Sequence, residues 1–175
     1  DCIYCECGFN RDFRTKTKLP DRENVYAALE DKLQSLRGQN VQLDVITFAG
    51  NGEPTMHPEF SAIIDDTISL RNRFAPEAKI SVLSNGMNVG KTPVFAALKK
   101  VENPILKLDS AFDETVRLID RPNSPNYSVA RQVELYKKFR GNFILQTMFL
   151  KGEFEGRRVD NSSEKEVSAW LELVR

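Results

Sequence analysis

The sequence predicts an α/β fold built around a parallel sheet, and three observations carry that prediction. Short β-branched, apolar runs alternate with longer segments of helical period. The runs recur in steps of roughly 30 to 40 residues, the spacing of right-handed βαβ units. Each run then gives way to a loop bearing glycine, asparagine or aspartate, at the strand ends where α/β sheets collect their ligands. With 175 residues, 41% hydrophobic and 29% charged, the chain can bury one sizeable core, so a single domain over residues 1–175 is expected.

Each element has its own signal. After a polar loop around Arg11 to Lys18, Leu19-Pro20-Asp21 reads as a helix start, and Val25, Ala28, Leu29, Leu33 and Leu36 recur at helical spacing until Gly38 ends the run. Residues 43–49 are β-branched and apolar and close on glycine, a strand. His57-Pro58-Glu59 opens a second helix carrying Phe60, Ile63, Ile64, Ile68 and Phe74, and residues 79–83 make the next strand, stopped by Ser84-Asn85-Gly86. Thr92-Pro93 reads as an N-cap followed by proline at the first helical position, with Val94, Phe95, Ala97 and Leu98 as the apolar side. Residues 105–109 form the third strand. Helical segments follow at 113–119 and 129–139, separated by Arg121-Pro122-Asn123-Ser124-Pro125. Residues 143–149 give the fourth strand. Ser163-Glu164-Lys165-Glu166 is a capping box that opens a helix with Val167, Trp170, Leu171 and Val174 on one side.

Charge and hydropathy exclude several functions. Twenty-five basic residues balance twenty-five acidic ones, and the sequence pI is near 6.8, so composition makes no case for nucleic-acid binding. Arg11, Arg14, Lys16 and Lys18 read as a solvated loop, since only Phe13 interleaves them. The longest apolar runs, at 45–48 and 143–145, fall far short of a membrane span, and no signal sequence is recognisable. A soluble, cytoplasmic protein without membrane association is expected.

All three cysteines, Cys2, Cys5 and Cys7, crowd into the first nine residues. An odd, clustered set suits thiolate metal ligation better than a disulfide framework, and it suits a reducing compartment. Cys2-Ile3-Tyr4-Cys5 is a CxxC, which by itself fits a zinc knuckle, a redox dithiol or part of an iron-sulfur site. No second Cys or His pair completes a zinc tetrad.

The strand-end loops are the other place to read chemistry. Gly50-Asn51-Gly52-Glu53-Pro54 follows the first strand, and its glycines let a ligand approach the backbone while Glu53 adds a charge suited to an ammonium group. It is neither a Rossmann fingerprint nor a P-loop. Ser84-Asn85-Gly86 follows the second strand and is equally compatible with plain turn chemistry; Asp109-Ser110 and Leu150-Lys151-Gly152 follow the third and fourth. His57, the lone histidine, falls just past the first loop and reads as a helix-start residue.

Taken together, these motifs resemble the radical S-adenosylmethionine (radical SAM) superfamily. Cys2-Ile3-Tyr4-Cys5 is similar to the second half of its CxxxCxφC signature, φ being aromatic, and Gly50-Asn51-Gly52-Glu53-Pro54 is similar to its GGE loop. The resemblance implies a parallel-stranded partial TIM-type (β/α)6 barrel, a [4Fe-4S] cluster held in part by Cys2 and Cys5, and S-adenosylmethionine as cosubstrate. It implies Tyr4 near the adenine, Asn51, Gly52 and Glu53 at the methionine amino group, and Asn85 in the Ser-Asn-Gly that ends a family strand. Asp109 or Ser110 falls where members bind ribose or the methionine carboxylate. Residues 146–149 fall on the strand that supplies adenine contacts, where Met148 reads equally well as core.

The implied activity is reductive cleavage of S-adenosylmethionine to a 5′-deoxyadenosyl radical that abstracts hydrogen from substrate, with a reductant such as flavodoxin or ferredoxin as partner. The family's first cysteine would stand four residues ahead of Cys2, and Cys7 does not supply that spacing. The resemblance therefore implies about four barrel strands here, with the first and last missing, no bound cluster and no turnover for this stretch alone, and sheet edges free to pair two chains. On the residues alone two other readings stay open: a non-radical α/β enzyme using another cosubstrate, and a zinc or iron-sulfur binding module without turnover.

Overall fold

A computed structural model describes residues 2–5, 19–49 and 52–175. Cys7, the basic loop from Arg11 to Lys18, Gly50 and Asn51 lie outside the described residues. The chain is α/β, with a four-stranded parallel sheet in the order β1 (Val45–Phe48), β2 (Lys79–Ser84), β3 (Asn103–Lys107) and β4 (Ile144–Gln146), and with flanking helices. This is the strand set expected of a partial TIM-type barrel. By packing the chain divides into two compact units, and the division falls within β3 and β4.

The first unit takes in residues 19–49, 52–105 and 142–144. Its first helix, α1 (Arg22–Gly38), starts where the sequence predicts: the Asp21 carboxylate accepts the Asn24 N–H at 2.9 Å, satisfying one of the orphan amides of a helix start. α1 packs on α2 (Phe60–Phe74), and the Arg22 guanidinium grips Asp66 through two nitrogens at 2.6 and 2.8 Å. β1 and β2 pair in parallel, Val45 opposite Lys79 and Phe48 opposite Val82. Beneath them lies an apolar core of Phe60, Ile63, Ile64, Leu70, Ile80 and Val82. Glu102 ties the far end of β2: it accepts the Ile80 N–H at 2.8 Å and an Arg71 nitrogen at 3.0 Å, and that same nitrogen also donates to the Ala78 carbonyl.

Two local expectations are corrected in this unit. The chain from Pro54 to Met56 makes a 3-10 turn, so α2 begins at Phe60 rather than at His57. Thr92 is the first residue of α3 (Thr92–Leu98) rather than its cap. Lys91 takes the N-cap position, without a side-chain bond to the helix.

The second unit takes in residues 2–5, 106–141 and 145–175. It holds α4 (Asp113–Ile119), α5 (Val129–Lys137), an antiparallel hairpin of β5 (Lys151–Phe154) and β6 (Arg157–Asp160), and α6 (Glu164–Val174). Nothing in the sequence reading anticipates the hairpin. Its turn residues Glu155 and Gly156 both have positive φ, 50° and 73°, the backbone of a two-residue primed turn, but without the Asn-Gly pair that advertises one. The fourth strand is also shorter than its apolar run. Past Gln146, side chains replace the ladder: Thr147 donates to the Leu108 carbonyl at 2.8 Å, and the Met148 N–H donates to Asp109 at 3.0 Å.

The capping box predicted at Ser163 does not close. Ser163 occupies the N-cap position without a side-chain bond, because Glu166 is buried elsewhere, accepting the Ser110 and Thr115 hydroxyls at 2.6 Å each.

Candidate functional site

The residues that the sequence singles out fall into two groups, one in each unit. In the second unit the CxxC is a tight turn, closed by the Cys5 N–H donating to the Cys2 carbonyl at 3.1 Å. The turn is fastened to the fold at two points. The Ile3 N–H donates to the Ile119 carbonyl at 2.8 Å, at the end of α4. The Tyr4 hydroxyl donates to the Asp109 carboxylate, lies 3.3 Å from Asp120, and accepts from the Lys107 ammonium. That ammonium also lies over the Tyr4 ring, 4.3 Å from its centroid, and 3.7 Å from Asp109.

This wrapping sets the electrostatics. The Cys2 thiol is half-buried and donates to Asp120 at 3.3 Å; burial first, and then the Asp120 charge, push its pKa up to about 11. Burial likewise raises the Tyr4 phenol, with Asp120 as the next cause. Asp120 is raised by burial and by the neighbouring Asp109. Cys5 is exposed.

Cys2 and Cys5 therefore offer two soft sulfur donors on one turn, a donor pair suited to the irons of a cluster or to zinc. Among the described residues no third Cys, His, Asp or Glu completes a metal-binding group with them. The donor chemistry fits the cluster implied for the family.

Asp109 and Ser110 are each 1% exposed and have internal partners. The Asp109 carboxylate holds Tyr4 and the Met148 amide, while Ser110 donates to Glu166 and accepts the Phe112 N–H at 2.9 Å. Beyond them, Met148 and Phe149 are each 45% exposed, and Phe149 meets Trp170 edge-on at 5.7 Å. Met148 is thus a surface residue, not core.

In the first unit Glu53 is the organising group. Its carboxylate accepts the Thr55 N–H and hydroxyl at 3.2 and 2.5 Å, the Ser84 hydroxyl at 2.8 Å and the Asn85 N–H at 2.7 Å. The loops after β1 and β2 are thereby joined, and Asn85 turns its own side chain onto the Met87 N–H at 2.9 Å. Gly52 is exposed, has φ +152°, and would place a Cβ in open space. Its backbone is open to a ligand, and its conformation suits glycine. His57 serves the helix start: Nδ1 accepts the Glu59 N–H at 3.1 Å, so Nε2 carries the proton it donates to the Pro20 carbonyl at 2.9 Å.

Sequence reasoning missed Asp120, Lys107, Asn161 and Glu166. Two of them left a signal. Asp120 places an acid at a helix C-terminus, against the macrodipole, and Lys107 interrupts an otherwise apolar strand.

The class follows from fold and motifs together. The chain belongs to the radical SAM superfamily, whose model matches residues 1–160. Among individual proteins it is similar to one named GTPase Obg from Brachyspira hyodysenteriae, 28% identical over 177 residues, covering 99% of this chain and 24% of that protein. It is also similar to UPF0026 proteins of Helicobacter pylori (25% identical, covering 87% of this chain and 48% of that protein) and Methanocaldococcus jannaschii (24%, covering 86% and 46%). The chain spans about half the length of these UPF0026 relatives. No helix among the described residues is long and apolar enough to cross a membrane.

Proposed function

We propose that this chain carries the core of a cytoplasmic radical SAM enzyme acting on a hydrogen-bearing substrate, with a one-electron reductant such as flavodoxin or ferredoxin as partner. The observation that carries the reading is the CxxC turn held to the β3 end by Tyr4 and to the α4 end by Ile3, in a chain that the superfamily model covers almost throughout. When bound, a [4Fe-4S] cluster and S-adenosylmethionine supply reductive cleavage of the sulfonium and a 5′-deoxyadenosyl radical for hydrogen abstraction.

The protein's own residues bind and orient. Cys2 and Cys5 would ligate iron, and Asp120, which accepts the Cys2 thiol hydrogen bond at 3.3 Å, would take the proton that ligation displaces. Tyr4 fixes the turn through its hydroxyl and offers a ring edge to the cosubstrate. Gly52 presents open backbone to the methionine amino group, while Glu53 and Asn85 brace that loop, and Asn51 joins them by family resemblance. Asp109 holds Tyr4 and the β4 end, where exposed Met148 and Phe149 form an apolar surface suited to adenine, and Ser110 beside it is tied to Glu166.

Anaerobic reconstitution of the full-length protein with iron and sulfide tests this. A stoichiometric cluster absorbing near roughly 400 nm, lost in both Cys2→Ser and Cys5→Ser, is the expected result. A single bound zinc with no affinity for S-adenosylmethionine would overturn it in favour of a binding module.

A further inference from the structure

Asn161 follows β6 directly and is 1% exposed. Its side chain has a partner in three directions: the amide nitrogen donates to the Asp109 carbonyl at 2.6 Å and the Met148 carbonyl at 2.8 Å, and the amide oxygen accepts the Leu150 N–H at 2.7 Å. Only one orientation of the amide satisfies all three, since flipping it would set an oxygen against two carbonyls. Its own N–H donates to the Leu150 carbonyl at 3.2 Å. No regular ladder runs through these residues; β3 ends at Lys107 and β4 at Gln146. One buried side chain thus ties the two strand ends together just past the Thr147 and Asp109 bonds, and the β5–β6 hairpin is the excursion that returns the chain to deliver it.

We infer that Asn161 is a positioning residue for the adenosyl half of the cosubstrate, holding Met148 and Phe149 at the β4 end and Asp109, which grips Tyr4, at the β3 end. The inference rests on the proposed function. It goes beyond it in assigning the geometry of the adenosyl surface to a residue outside the cluster turn and the glycine-containing loop. Asn161 touches no reacting atom. Its effect reaches the ligand through backbone groups that it fixes in a low-dielectric setting, where an unpaired carbonyl or amide is costly.

Asn161→Asp keeps the shape and replaces the donating nitrogen with an oxygen facing two carbonyls. Val159→Ala, at a buried position of β6 without polar ties to the strand ends, serves as the control for general loosening. In the reconstituted full-length protein, at a temperature where circular dichroism finds all forms folded, Asn161→Asp is expected to weaken binding of S-adenosylmethionine and of 5′-deoxyadenosine at least tenfold. It is also expected to speed amide exchange at Met148 and Leu150 at least tenfold. Val159→Ala is expected to leave both affinities within twofold, even where its melting temperature falls as far.

Affinities unchanged in Asn161→Asp, unchanged amide exchange, or equal weakening by Val159→Ala would each overturn the inference alone. Failure of the unsubstituted protein to bind S-adenosylmethionine would overturn the proposed function, and this inference with it.

Discussion

Glu53 illustrates how much one side chain can organise without regular structure around it. Four donors converge on its two oxygens, three of them on Oε1 and the Asn85 N–H on Oε2. Glu53→Gln can keep the three bonds at its oxygen but then turns an amide nitrogen toward the Asn85 N–H, donor against donor. A loss of about 1–3 kcal/mol is expected, read as a lower urea midpoint, together with weaker S-adenosylmethionine binding. The charge and position of Glu53 were legible in the sequence, because a glutamate after a glycine-rich strand end is a recognisable pattern. Its internal partners were not legible, since Ser84 and Asn85 lie some thirty positions away, and a sequence pattern carries no distance. Asp109 and Ser110 teach the same lesson from the other side: their strand-end location was readable, whereas their burial depends on Tyr4, Glu166 and Asn161 arriving from remote segments.

At the scale of elements, hydrophobic period proved informative wherever a segment was long. α1 starts at its Asp21 cap and stops at Gly38, and α2 buries Phe60, Ile63 and Ile64 as their spacing demands. Short elements were harder. The apolar run at 143–149 looks like one strand, yet only Ile144–Gln146 pairs, because Thr147 and Asp109 supply side-chain bonds that compete with the ladder. The β5–β6 hairpin escaped notice because its strands are charged and its turn is Glu-Gly. Gly156, at φ 73°, is the residue that this turn needs. Gly156→Ala should therefore destabilise the hairpin by about 1 kcal/mol, through backbone strain rather than crowding, since a Cβ there meets nothing within 4 Å. Thermal denaturation of the variant checks the size. Faster amide exchange confined to residues 151–160 would locate it.

For the molecule as a whole, acid sensitivity follows from carboxylates whose pKa values the fold lowers. The Arg22 hydrogen bonds hold Asp66 below its ordinary value. Burial pushes Glu102 up, but the Ile80 amide and Arg71 outweigh it, so Glu102 is lowered as well. A carboxylate with a folded pKa below its unfolded value of about 4 contributes stability above that value and loses it as pH falls through the folded pKa. Denaturant midpoints should therefore fall on acidification below about pH 4. Asp66→Asn should flatten that fall modestly and in a salt-dependent way, since the Arg22 side chain is 41% exposed.

The Ile3–Ile119 hydrogen bond has a kinetic consequence of the same global kind. One of the two fastenings of the turn that carries Cys2 and Cys5 is the last turn of a seven-residue helix, α4, and helix ends fray first. Opening of that helix end would release one fastening of the turn, so for the proposed cluster the rate of iron loss is expected to follow local unfolding at Ile119.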